Sequence, residues 1–168
     1  ISAIMKKRKS YYEHIYASMK SVRVKLFLML EIDILPNGQL ALPESSFEYI
    51  DAAIVSIHSV FEMEKAKMTG RILAGLSHPK AKILAHPTGR LLTKRDGYDA
   101  DWDEIFSFCR THNKALEINS YPDRLDLPDD LVRRAIQSGV RLTIDTDSHD
   151  VSHMGLMRYG VSVARRGW

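Results

Sequence analysis

Short apolar runs recur along the chain at 24–32, 51–58, 81–86, 115–119 and 140–145, and helical patterns fill most of the gaps between them. This alternation constrains the fold more than any other feature, because it is the signature of βαβ units and a parallel sheet. Inside the runs (KLFLML, AAIVSI, KILA, VRLTI) apolar residues are nearly continuous rather than alternating. Strands covered on both faces look like this.

The intervening segments carry helical spacing. Residues 1 to about 20 read as one helix, and 62–76 place Met63, Ala66, Ile72, Leu73 and Leu76 near a 3.6-residue period. Residues 101–112 put Trp102, Ile105, Phe106 and Cys109 on one stripe, and both stripes read as core. Pro128, Asp129 and Asp130 open a helix through Gln137, and Gly139 stands where a left-handed cap would end it. Asn37-Gly38 marks a tight turn in an excursion from Pro36 to Glu44, with Leu40 and Leu42 as a short extended return. Residues 87–100 form a longer polar loop after His86. The fold class expected is α/β, with parallel strands and outer helices in a single domain. Neither end of the chain reads as a natural domain boundary.

Composition narrows the setting. At 168 residues, 45% hydrophobic and 27% charged, with mean hydropathy −0.22, the chain has the make-up of a globular protein. No apolar run approaches the roughly 20 residues that a membrane span needs, and the N-terminus lacks the order of a cleavable signal. A non-membrane, cytoplasmic protein is expected. Cys109 is alone, so no internal disulfide forms. The net charge of +3 is a weak hint of an anionic partner, and the KKRK cluster at 6–9 reads as a solvated helix face. Phosphate-cradling glycine loops and the nucleophile elbow of serine hydrolases are absent from the sequence.

Histidines and carboxylates appear where the apolar runs stop: Glu31, His58, His86, and Asp147 with His149. In a parallel barrel the strand C-terminal ends converge on one face, where residues serve chemistry rather than stability. Alternation along an extended segment would point Asp147 and His149 the same way, so one ion could take both. Neutral imidazole with carboxylate suits Zn²⁺, Mn²⁺ or Fe²⁺, and the lack of cysteine ligands argues against a structural zinc cage. The expectation is a hydrolytic metal site in which Asp147 and His149 carry catalysis. Arg90, Lys94 and Arg124 fall in loops on that face, where a guanidinium could grip a phosphate. His153 is a further candidate to touch substrate. His14, His78 and His112 read as structural or solvent residues.

The segments LEIDILPNGQL, AAIVSIHS, ILAHPTGRLLTKRDGYD, ALEINSYPDRLDLPDDL, LTIDTDSHD and MRYGVSVARRGW resemble the PHP (polymerase and histidinol phosphatase) superfamily. They are most similar to the PHP domain of bacterial and archaeal family X DNA polymerases. The resemblance implies a distorted (β/α) barrel with manganese or zinc at the strand ends and Glu31, His58, His86, Asp147 and His149 as metal ligands. It also implies 3′-5′ exonuclease and 3′-end phosphoesterase activity in DNA repair, with DNA 3′ ends as substrate and a polymerase region in the same parent protein. A free-standing phosphatase of a small phosphomonoester such as histidinol phosphate, or a non-catalytic PHP-like module, are the alternatives. The family's remaining ligands come from an H-x-H motif on the first strand and from residues soon after it. No H-x-H occurs in these 168 residues. The barrel is therefore expected to be incomplete, with the domain truncated at both ends.

Overall fold

The structure is a computed structural model and describes residues 1–19 and 25–167. The apolar runs form β1 (Met29–Asp33), β2 (Ala52–Ser56), β3 (Ala81–Leu84), β4 (Ala115–Asn119) and β5 (Arg141–Asp145). All are parallel and their spatial order is the sequence order. Right-handed crossovers that advance by one strand each time lay the connecting helices on one face, the winding of a barrel rather than of a doubly wound sheet. The sheet does not close: among the described residues β1 and β5 each have one strand neighbour. The molecule is an incomplete (β/α) barrel.

Helices α1 (Ser2–Ser18), α2 (Lys65–Ser77), α3 (Trp102–Thr111), α4 (Asp129–Gln137) and α5 (Met157–Arg166) flank the sheet. A short 3₁₀ helix at Glu44–Tyr49 takes the place of an α-helix between β1 and β2, and a second at Val151–Leu156 leads directly into α5. Register sorts the strand residues into two faces. Ile32, Val55, Leu84 and Leu116 align across β1 to β4, and all are buried in the core with Ile72, Leu76, Ile105, Phe106 and Val132 from the helices. Side chains alternate along a strand, so the opposite face receives Glu31, Asp33, Ser56, Glu117, Asn119, Thr143 and Asp145. One face is packing and the other is chemistry.

Most sequence boundaries fall within a few residues of the structure. Lys20 of the expected first helix and Val24 of the expected first strand lie outside the described residues. The 62–76 pattern begins as a helix only at Lys65, so Met63 precedes it and Ala66 is exposed; the buried stripe is Met68, Ile72 and Leu76. The tight turn is present, with Gly38 at φ +84° and an antiparallel bridge from Ile34 to Leu40. Gly139 at φ +75° ends the α4 turn as its position suggested.

Cys109, on the buried stripe of α3, is fully enclosed, and burial pushes its thiol up to about 12 against a partly offsetting effect of Lys114. Below about pH 8 the thiol is protonated folded or unfolded and contributes almost nothing to pH dependence. Above that, the unfolded thiol ionises first, so stability falls as pH rises toward the folded value, by about 1.4 kcal/mol per pH unit. Denaturant melts of the wild type and Cys109→Ala at pH 8 to 11 should therefore converge as pH rises; a constant difference would refute this.

Candidate metal centre

Glu31 is at the middle of β1, not at its end: the strand continues through Ile32 to Asp33, and alternation turns Glu31 to the polar face. His58 and His86 each follow the last residue of their strands, β2 and β3, by two positions. The structure brings these three together. Glu31 Oε1 is 2.9 Å from His86 Nε2 and 3.3 Å from His58 Nε2, and one donor atom from each residue lies within 4.8 Å of the others. Ligands about 2.1 Å from a tetrahedral ion stand roughly 3.4 Å apart, so the spacing suits one divalent cation. The two imidazoles hold the Glu31 carboxyl well below the usual carboxylate range, His58 most strongly. Glu31 in turn raises His58, against the effect of burial. His86 is buried, and its Nδ1 has no hydrogen-bond partner.

Asp147 and His149 are not in that group. The expected extended segment ends at Asp145, and Asp147 adopts φ +48°, which turns the chain. His149 then folds back so that its Nδ1 is 2.9 Å from Asp147 O and 3.7 Å from Asp147 Oδ1, with the ring largely exposed. The two side chains meet across a turn rather than by strand alternation. Asp147 is nevertheless linked to the cluster: Asn119 Nδ2 reaches Asp147 Oδ2 and Glu117 Oε2, both at 3.3 Å, and Glu117 Oε2 accepts the backbone N–H of His86.

Strain is concentrated at this end of the sheet. Of the six described non-glycine residues at positive φ, five (Val60, His86, Thr93, Leu125 and Asp147) lie in segments that follow a strand; the sixth, Asn113, follows α3. Such backbone costs of order 1–3 kcal/mol each and gathers where function holds it in place.

Sequence reasoning overlooked a layer of residues beneath the donors. Glu117 and Asp145 face one another with their carboxyls raised, Glu117 by burial and then by the charge of Asp145, and Asp145 by burial. Asp126 is fully buried, and both of its oxygens accept from Thr88 N, at 3.1 and 3.0 Å. Arg71, also buried, donates from α2 to the carbonyls of Ile34, Ser59 (2.9 Å) and Val60 (3.2 Å), tying the segment after β1 to the segment after β2. The sequence signal was a recurrent pair of polar residues two apart within or just after an apolar strand: Glu31 and Asp33, Glu117 and Asn119, Asp145 and Asp147.

The loop cations divide by how their donors are used. Arg90 donates Nε to Arg124 O at 3.0 Å and Nη2 to Leu125 O, which clamps the 87–100 loop against the loop after β4. Arg95 stacks on Phe61 at 3.7 Å and bonds Gly89 O. Lys94 pairs with Asp123 at 3.1 Å in solvent. Arg124 differs: its Nε is 4.0 Å from Asp147 Oδ2, and its charge is felt at His58, so its guanidinium stands between the two halves of the site. His153 accepts from His149 N at 3.3 Å and packs edge-on against Tyr121.

No family model matches the chain. A DNA polymerase/3′-5′ exonuclease PolX of Bacillus subtilis is 40% identical over 139 residues, covering 83% of this chain and 24% of the relative. A probable phosphatase of Caldicellulosiruptor saccharolyticus is 26% identical over 113 residues, and one of Thermoanaerobacter pseudethanolicus 23% identical over 152. The chain spans 45% and 60% of those two relatives. With that identity over most of its length, the chain belongs to the PHP (polymerase and histidinol phosphatase) superfamily, in the branch carried by family X DNA polymerases.

Proposed function

We propose that this chain is the larger part of a divalent-metal-dependent phosphoesterase domain that trims DNA 3′ ends in repair, as a 3′-5′ exonuclease and 3′-end phosphoesterase. It works in the cytoplasm, joined to a polymerase region of the same parent protein. The observation that carries the reading is the convergence of Glu31, from the middle of β1, with His58 and His86, just beyond β2 and β3, in a chain 40% identical to an exonuclease over most of its length. These three residues would hold a Mn²⁺ or Zn²⁺ ion, and Asp147 and His149 would add further ligands across the Asn119 bridge. When bound, such ions lower the pKa of a coordinated water and neutralise charge on a phosphoryl oxygen. Arg124 holds the phosphate from the side facing Asp147. Arg90 has two of its nitrogens committed to carbonyls, so it shapes the loop, with its remaining donors left for substrate. His153 orients His149 through the backbone bond.

The test uses the parent protein and a labelled DNA 3′ end. Release of nucleotide or phosphate should require Mn²⁺ or Zn²⁺ and should fall more than tenfold in the Asp147→Ala/His149→Ala double variant. Full activity in that variant would defeat the assignment. The two probable-phosphatase relatives favour a second reading, hydrolysis of a small phosphomonoester. If histidinol phosphate outcompetes DNA in the same assay, that reading replaces the first.

A further inference from the structure

Two histidines that the proposed metal site depends on have their backbones fixed by the same device. A parallel ladder ends after β2 and β3, and the N–H groups just beyond lose their strand partner, so each needs another acceptor. His58 N donates to Asp33 Oδ1 at 3.0 Å, and Asp33 ends β1, the strand beside β2. His86 N donates to Glu117 Oε2, and Glu117 lies in β4, the strand beside β3. In both cases a carboxyl oxygen from the neighbouring strand takes the place of the missing carbonyl as acceptor. For His86 the bond also secures a backbone at φ +28°, which a free turn would not keep. Asp145 does the same locally, accepting Asp147 N at 3.1 Å.

We propose that Asp33 and Glu117 are positioning residues, each fixing the backbone of one metal-binding histidine by accepting its N–H across the sheet, and that neither is itself a ligand. The proposal rests on the metal reading above. Glu117 Oε2 already receives two donors, His86 N and Asn119 Nδ2, which fills the acceptor capacity of that oxygen. The carboxyl is also enclosed, with Glu117 4% exposed. Asp33 Oδ1 points to the His58 amide, while the ring Nδ1 is farther away at 3.7 Å. A residue that acts only by accepting an N–H can be replaced by its amide, which keeps an acceptor oxygen in the same place. A ligand cannot.

Mn²⁺ binding to the full chain, followed by electron paramagnetic resonance, separates the two. Asp33→Ala and Glu117→Leu should weaken binding about 10- to 100-fold, the usual cost of losing an orienting partner, and should shift the His58 and His86 amide protons upfield. Asp33→Asn and Glu117→Gln should recover most of that loss. Melting of each variant without metal checks folding; should Glu117→Leu fail to fold, the less buried Asp33 pair carries the test. Amides as damaging as the truncations, or truncations that bind like the wild type, would overturn the inference. A wild-type chain that takes up no Mn²⁺ overturns the metal reading and this inference with it.

Discussion

Glu31→Gln should lower divalent-ion affinity at least 100-fold, and should also destabilise the metal-free fold modestly, because the charge that His58 and His86 favour is lost with it. Glu31 is the acceptor that His58 and His86 share, at 3.3 and 2.9 Å, and it carries the only carboxylate in the three-residue group. An amide keeps the size and one acceptor oxygen but removes the full charge facing a dication, a loss of about 3 kcal/mol, or 100-fold and more. The side chain is 35% exposed, so the substitution leaves no buried unpaired charge. The measurement is the rise in melting temperature on adding metal. An ion at 1,000 times its dissociation constant stabilises the wild type by about 4 kcal/mol, and at the same concentration a 100-fold weaker variant gains only about 1.4. Equal shifts in the two proteins would show that the ion, if bound, is held elsewhere.

The same residue shows how far the sequence could be read. Glu31 stood out because an apolar run stopped at a carboxylate, yet the run had not stopped: β1 continues for two more residues. Residue type was legible because burying a charge among apolar residues is costly and needs a reason. Its place in the strand was not, since a strand buried on one face and carrying chemistry on the other reads like a strand that ends. The parallel order of β1 to β5 was legible for a simpler reason. Nearly continuous apolar runs separated by helices leave few topologies once crossovers must be right-handed.

The layer under the donors was hidden by the same property that made the strands visible. In ALEIN, Glu117 is surrounded by buried neighbours and reads as a break in an apolar run, whereas in space its register partner is Thr143 and its contacts are His86 N and Asn119. These partners lie 26, 31 and 2 residues away, and no local pattern encodes the first two. The turn at Asp147 was hidden differently. Positive φ is foreseeable at glycine, as at Gly38 and Gly139, but at aspartate it is imposed by surroundings, here in part by the Asp145 acceptor. Arg71 was passed over because an arginine on a helix normally faces solvent, and only the fold shows three carbonyls waiting for it.

A matched pair of glycine substitutions should separate the sheet end from the rest of the fold. Gly70 lies on the exposed side of α2 with nothing within 4 Å of where a Cβ would stand, so Gly70→Ala should stabilise the protein by about 0.5–1 kcal/mol through helix propensity alone. Gly160 is buried in α5, and a Cβ there would collide with Ser120 Oγ and stand 2.7 Å from Ile144 Cγ2. Ser120 directly follows Asn119, and Ile144 precedes Asp145, so the residues that must yield adjoin the polar bridge to Asp147. Overpacking of this kind costs about 1–3 kcal/mol for alanine, and Gly160→Leu should exceed about 3 kcal/mol. Because α5 can relieve the clash only by moving off β4 and β5, Gly160→Ala should also weaken the Asn119–Asp147 contact, visible as faster amide exchange at Asp147 and Ser120. Urea melts of the two alanine variants give the comparison. If Gly160→Ala is as stable as Gly70→Ala, the close seat of α5 on the strand ends is not what holds this side of the site together.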